Sequence, residues 1–143
     1  RNLMKHFIVA THGYFSREII NSAALILGGG LDILSLCMCE TTTGDDIRAA
    51  LWQKLDSCAP DDDVIIMADV LGGSICTLCS EFMADPRVHI MAGVNMPMLL
   101  TVLGMQEFMD TKSLIEECLR SAREGVCYVN QLSSQAAGED ELL

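Results

Sequence analysis

Two short apolar runs of the same design constrain this chain more than any other feature. Phe7-Ile8-Val9-Ala10 leads into Thr11-His12-Gly13, and Val64-Ile65-Ile66-Met67-Ala68 leads into Asp69 and then Gly72-Gly73-Ser74. A continuous apolar run stopped abruptly by a polar residue and glycine is the pattern of a strand buried on both faces. Such strands occur in parallel sheets covered by helices on either side. The first run delivers an imidazole at its end, the second a carboxylate. If the two strands lie side by side and parallel, His12 and Asp69 emerge together at one edge of the sheet.

The intervening segments supply the helices. Phe15, Ile19, Ala23 and Ile26 fall at helical spacing, and Gly28-Gly29-Gly30 ends that helix because glycine adopts the left-handed conformation of a C-cap. No Lys-Ser or Lys-Thr follows the triple glycine, so it is not a nucleotide-binding loop. A second strand centres on Ile33–Cys37. Thr42 or Thr43, each with an acid three residues on, caps a helix whose buried face is Ile47, Leu51 and Leu55. Trp52 packs there or at an interface. Pro60-Asp61-Asp62-Asp63 is a turn without the spaced ligands of a calcium loop. After Asp69, Ser74 is placed to cap a helix over Ile75–Phe82. A fourth strand, Val88–Ala92, precedes the loop Gly93-Val94-Asn95-Met96-Pro97 and a helix from about Met98 to Met109. The last helix, Asp110–Glu124, has a capping box expected at Ser113 and Glu116, and Gly125 breaks it ahead of a short strand at Val126–Val129.

This alternation predicts an open doubly wound α/β sheet of four parallel strands in the order 2-1-3-4. A C-terminal strand is expected to be antiparallel at an edge or to reach into another subunit. In such sheets ligands bind beyond the carboxyl ends of the strands where the order reverses, here between the strands ending in His12 and Asp69. The 143 residues are read as one domain over 4–130, with 1–3 as a cloning remnant and 131–143 as a polar tail.

Composition removes several classes of function. A net charge of −11 offers no basic stripe to nucleic acid and no attraction to anionic membranes. No apolar run reaches membrane-spanning length, and no signal segment opens the chain, so a cytoplasmic protein is expected. The seven cysteines sit largely in apolar runs and read as reduced core thiols. Cys76-Thr77-Leu78-Cys79 has redox spacing and Cys37-Met38-Cys39 hints at metal. Neither has a second pair or flanking histidine ligands, so no metal and no cofactor is expected. His6 and His89 are read as structural.

The His12–Asp69 pair has a definite chemistry. A neutral imidazole offers one lone-pair nitrogen to an electrophile while the other bears a proton. A carboxylate that accepts this N–H fixes the tautomer and stabilises the cation formed when the ring is phosphorylated. Gly13, Gly72 and Gly73 allow close approach of a partner. Helix-start N–H groups and the Thr11 and Ser74 hydroxyls are candidates to receive phosphate oxygens. His12 is therefore read as a phosphoryl carrier and Asp69 as the group that orients it.

Three stretches carry a resemblance: Phe7–Gly13, Ala68-Asp69-Val70-Leu71-Gly72-Gly73-Ser74 and Ala92-Gly93-Val94-Asn95-Met96-Pro97-Met98-Leu99. With Arg123-Glu124-Gly125-Val126, they resemble the IIA component of the mannose-type sugar phosphotransferase system, in order and at matching separation. The resemblance implies that His12 takes a phosphoryl group from the histidine-containing phosphocarrier protein and passes it to a IIB component. That IIB works with membrane IIC and IID components. It also implies a homodimer that exchanges its last strand. The chain departs from the family where Val70-Leu71 stand for Thr-Trp and Ile75 stands for proline, which bears on the partner-facing surface. Two relatives of this reading are a phosphorylation-dependent regulatory module and the phosphotransfer subunit of dihydroxyacetone kinase. A thiol-redox protein built on Cys76 and Cys79 is the third alternative.

Overall fold

Strand and helix alternate as the apolar spacing requires. The computed structural model describes residues 3–132. Its elements are β1 (Lys5–His12), α1 (Phe15–Leu27), β2 (Ile33–Met38), α2 (Gly44–Ser57), β3 (Asp63–Ala68), α3 (Ser74–Ser80), β4 (Val88–Ala92), α4 (Met96–Met105) and α5 (Thr111–Glu124), with a 3-10 turn at Glu81–Ala84. The four strands form a single sheet in the order β2-β1-β3-β4. All three pairings are parallel, as expected from the sequence.

Successive side chains along a strand face opposite sides, so each central strand feeds two cores. Phe7, Val9, Ile65 and Met67 lie with α1, α4 and α5 on one face. Ile8, Ala10, Val64 and Ile66 lie with α2, α3 and Phe82 on the other. β1 and β3 are the inner strands and are covered twice, which explains why their sequences show no polar alternation. The register of these two strands also aligns their ends. Ala10 pairs with Ala68, so Asp69 stands one residue and His12 two residues beyond the last β1–β3 pair.

Helix ends are fixed locally. Gly28 takes φ +95° and donates its N–H to the Ala24 carbonyl, closing α1. Thr43, the second of the two threonines considered, caps α2 in a reciprocal box with Asp46. Other ends differ from the sequence-based expectation. Ser74 is not a cap: Gly73 holds that position and Ser74 is already helical. α4 starts at Met96, because the Asn95 side chain accepts the Met98 N–H and Pro97 fits the first turn. It ends at Met105 rather than Met109. Asp110, not Ser113, caps α5, its carboxylate accepting the Ser113 N–H, so the expected Ser113–Glu116 box does not form.

The strand expected at Val126–Val129 does not form within this chain. Residues 126–128 have no regular structure and 129–132 make a helical turn. A strand exists only by pairing, and here Val126 donates its N–H back to the Arg123 carbonyl. Of the expected polar tail, residues 133–143 lie outside the described residues, as do residues 1 and 2 of the expected cloning remnant. Among the described residues no helix is long and apolar enough to cross a membrane.

Candidate active site

His12 is the last residue of β1 and Asp69 the first after β3, and the parallel pairing brings them into contact. Asp69 Oδ2 accepts two hydrogen bonds from His12, one from the backbone N–H at 2.8 Å and one from ring Nδ1 at 2.7 Å. Oδ1 accepts the Val70 N–H at 2.8 Å. Burial by itself raises the Asp69 pKa, but the hydrogen bonds from His12 and Val70 outweigh it and hold the carboxyl below the ordinary aspartate value. The group is therefore an ionised carboxylate at neutral pH and can only accept.

That fixes the imidazole. With Asp69 as pure acceptor, the neutral ring carries its proton on Nδ1 and its lone pair on Nε2. Ser74 Oγ lies 3.0 Å from Nε2, so in this tautomer the hydroxyl donates to the lone pair. His12 is 47% exposed at its side chain against 14% for Asp69. The imidazole is thus the more open partner, and the carboxylate that orients the ring is the more buried one.

The structure brings some of the expected site residues together and places others behind them. Gly72 takes φ +83°, a conformation open to glycine, and turns the chain after β3 so that α3 begins beside the ring. A Cβ on Gly73 would lie 3.0 Å from His12 Cε1 and 2.8 Å from Val70 Cγ1, so the imidazole rests against a bare Cα. The first turn of α3 there offers N–H groups without intrahelical acceptors. Gly13 supports from below, its N–H bonded to the Met38 carbonyl at 2.9 Å. Thr11 is fully buried, and its hydroxyl accepts the Ser16 N–H at 2.7 Å, which shapes the turn into α1. Its oxygen does not share the surface around Nε2.

Two contributions were not visible in the sequence, namely the backbone N–H groups of His12 and Val70 that anchor Asp69. Main-chain donors carry no residue signature. Their only hint was that both side chains sit at strand ends. The residues that follow His12 and Asp69 in the chain include four exposed apolar side chains, Tyr14, Phe15, Val70 and Leu71, with Leu71 83% exposed. The Arg17 guanidinium lies 4.1 Å over the Tyr14 ring.

The remaining candidates lie elsewhere. His6 bonds Asp62 and His89 bonds Asp63, both at the opposite end of the sheet. Cys76 and Cys79 are buried inside α3, where burial with the neighbouring Cys76 and Asp69 pushes the Cys79 thiol up to about 12. A buried thiol held this high is a poor nucleophile, which argues against the redox alternative.

Comparison with known proteins points the same way. A family model, EIIA-man, described as the PTS system fructose IIA component, matches residues 6–119. The PTS system fructose-specific EIIA component of Bacillus subtilis (strain 168) is 25% identical over 142 residues, covering 94% of this chain and 97% of that protein. The crystal structure of a phosphotransferase system component EIIA from Streptococcus agalactiae superposes with a TM-score of 0.82 at 21% identity, covering 90% of this chain and 99% of that one. A mannose/sorbose specific IIA subunit from Enterococcus faecalis superposes with a TM-score of 0.78 at 20% identity, covering 88% and 95% respectively. At these identities the two structures bear on the fold alone.

Proposed function

The chain belongs to the EIIA-man family and is an EIIA component of a sugar phosphotransferase system; on that premise we propose that His12 Nε2 is its phosphoryl acceptor. The observation that carries this reading is the 2.7 Å contact between His12 Nδ1 and Asp69, which leaves Nε2 as the nucleophile. The donor is the phosphohistidine of the histidine-containing phosphocarrier protein. Nε2 attacks phosphorus, the N–P bond to the donor imidazole breaks, and that ring leaves with the electron pair. The second transfer, to a histidine of a IIB component, runs the same step in the other direction.

Each residue has a separate part in this step. As Nε2 bonds to phosphorus the His12 ring becomes cationic, and the Asp69 carboxylate is already in place to balance it. Ser74 Oγ begins as a donor to the Nε2 lone pair. Once that lone pair is engaged, the hydroxyl turns to a phosphoryl oxygen. The bare Cα atoms of Gly72 and Gly73 leave room for the transferred group, and the N–H groups at the start of α3 supply positive potential within an acidic body. Thr11 and Gly13 hold the turn that carries His12. Phosphoryl transfer depends mainly on position and electrostatics, which is what this arrangement provides.

The exposed side chains of Tyr14, Phe15, Val70 and Leu71 are the surface on which the two partner proteins alternate. Val70 and Leu71 would tune the fit to a particular IIB. The protein would work in the cytoplasm beside membrane IIC and IID components. A homodimer is part of the proposal, with residues 126–129 pairing as a strand only against a partner subunit.

The test is incubation with phosphoenolpyruvate, the general first enzyme and the phosphocarrier protein, followed by intact mass. One acid-labile phosphate, absent in His12→Ala, is the expected result. A folded protein that stays unmodified beside a working control acceptor would transfer support to the dihydroxyacetone kinase or regulatory reading.

A further inference from the structure

The pole of the sheet opposite His12 holds a second cluster of chemically capable side chains. His6 projects from the start of β1, Cys58 caps the end of α2, and Asp62 immediately precedes β3. One ligand atom from each, an imidazole nitrogen, a thiol sulfur and a carboxylate oxygen, lie within 4.8 Å of one another. We propose that His6, Cys58 and Asp62 form a zinc site.

The donor set favours this ion. Nitrogen, sulfur and oxygen ligands together suit a borderline-soft, four-coordinate cation rather than calcium or magnesium, which take oxygen alone. The charges also balance, since one thiolate and one carboxylate neutralise a divalent ion in a setting where Asp62 is 3% and His6 14% exposed. Tetrahedral zinc holds its ligand atoms roughly 3.3–3.8 Å apart. His6 Nε2 and Asp62 Oδ2 are at 3.0 Å, so side-chain movements of about 1 Å complete the geometry.

The frame around the cluster is held independently of any ion. Asp62 Oδ2 accepts the Ala59 N–H at 3.0 Å and Oδ1 the Met4 N–H at 3.3 Å. Arg87 Nη1 donates to the carbonyls of Leu55 and Cys58 at 3.0 and 3.4 Å, fixing the chain on both sides of the α2 terminus. Cys58 Sγ donates to the Lys54 carbonyl at 3.2 Å. On binding, that thiol proton passes to solvent, the imidazole proton resides on Nδ1, and the His6–Asp62 hydrogen bond gives way to two bonds to zinc. Water takes the fourth position. Six residues of extended strand separate His6 from His12, about 20 Å. The ion would therefore clamp β1, α2 and β3 together without touching the phosphoryl site.

Cobalt(II) and zinc(II) titrations of the full chain decide this. The expected result is a single equivalent of cobalt with tetrahedral visible bands and a near-ultraviolet thiolate charge-transfer band, displaced by zinc. Cys58→Ser, whose hydroxyl still reaches the Lys54 carbonyl, should lose the charge-transfer band. His6→Gln should weaken zinc binding at least 10-fold by calorimetry, while Cys127→Ser and His12→Ala leave both unchanged. Absence of the band, or a band that survives Cys58→Ser but is lost with Cys37 or Cys127, would overturn the assignment. Circular dichroism of Cys58→Ser confirms that loss of binding is not loss of fold.

Discussion

At His12 a single carboxylate oxygen holds both the main chain and the ring, so position and tautomer are set by the same group. Replacing Asp69 by Asn disturbs both. An amide turned with its NH2 toward Nδ1 selects the other tautomer and removes the lone pair from Nε2. We expect Asp69→Asn to fold and to lower the rate of phosphoryl acceptance by roughly 10²- to 10⁴-fold, measured by quenched-flow transfer from the phosphocarrier. An unchanged rate would take Asp69 out of the mechanism. The same substitution has a pH signature. Because the folded pKa of Asp69 is lowered, its ionised form stabilises the native state above the unfolded value of about 3.9. That contribution disappears as pH falls through the folded value. Urea unfolding should therefore show wild type more stable than Asp69→Asn at neutral pH, with the gap closing below about pH 4. Gly73 gives a complementary test. Its φ of −68° suits alanine, so space is what is at issue: the added Cβ meets His12 Cε1 at 3.0 Å and the flexible Val70 side chain at 2.8 Å. Gly73→Ala should keep its fold and lose roughly 10- to 100-fold in transfer, because a displaced nucleophile is costly. Wild-type kinetics would show that the ring is not held against that Cα.

At the scale of elements, the loop after β4 is explained by what it packs against rather than by the chemistry. Asn95 caps α4 with its oxygen, while its Nδ2 donates to the Ala122 carbonyl of α5 at 3.0 Å. Pro97 opens α4 and lies against the end of α5, where a Cβ on Gly125 would come 2.5 Å from Pro97 Cγ. The Gly-Val-Asn-Met-Pro stretch and the Arg-Glu-Gly-Val stretch are thus two halves of one helix–helix contact, far apart in sequence. Gly125→Ala should lower stability by about 1–3 kcal/mol through overpacking, with little effect on the transfer rate. Denaturant unfolding beside the phosphorylation assay checks both parts, and a neutral substitution would mean that α5 can move away from Pro97 freely. α3 shows the opposite case, an element given over to the site. Its first residue, Ser74, bonds the imidazole instead of capping the helix, and Gly73 takes the cap position without a side chain.

Across the whole molecule the thiols report the two-core architecture. Cys76, Cys79 and Cys118 are buried in the layers on either side of the sheet, and burial pushes Cys79 and Cys118 up to about 12. Cys127 is exposed. Burial alone raises the Cys37 pKa, yet hydrogen bonds from Ser16 and Ser35 and from the Arg17 N–H bring it below the ordinary thiol value. Native-state alkylation and then peptide mapping should label Cys127 and Cys37 early and leave Cys76, Cys79 and Cys118 unmodified until the protein unfolds. Early modification of Cys76 or Cys79 would restore a redox role for α3.

Much of this organisation was legible in the residues. Buried parallel strands need uninterrupted apolar runs, so Phe7–Ala10 and Val64–Ala68 declared themselves, and with them the sheet and the edge to which His12 and Asp69 belong. Triple glycine and the Thr43–Asp46 box marked helix ends because those signals act over a few residues. What the tertiary structure decided were the relations that no local pattern encodes. Thr11 and Ser74 both read as hydroxyls near the site, yet the packing of α1 buries one and the placement of α3 sets the other on Nε2. His6, Cys58 and Asp62 lie on separate segments and meet only when the sheet forms. Val126–Val129 has strand composition, but a strand requires a neighbour with free backbone groups, and the described residues of this chain supply none there. Periodicity and capping are properties of neighbours in sequence, so the sequence alone determines them; contact between distant side chains is a property of the packed sheet, and only the fold decides it.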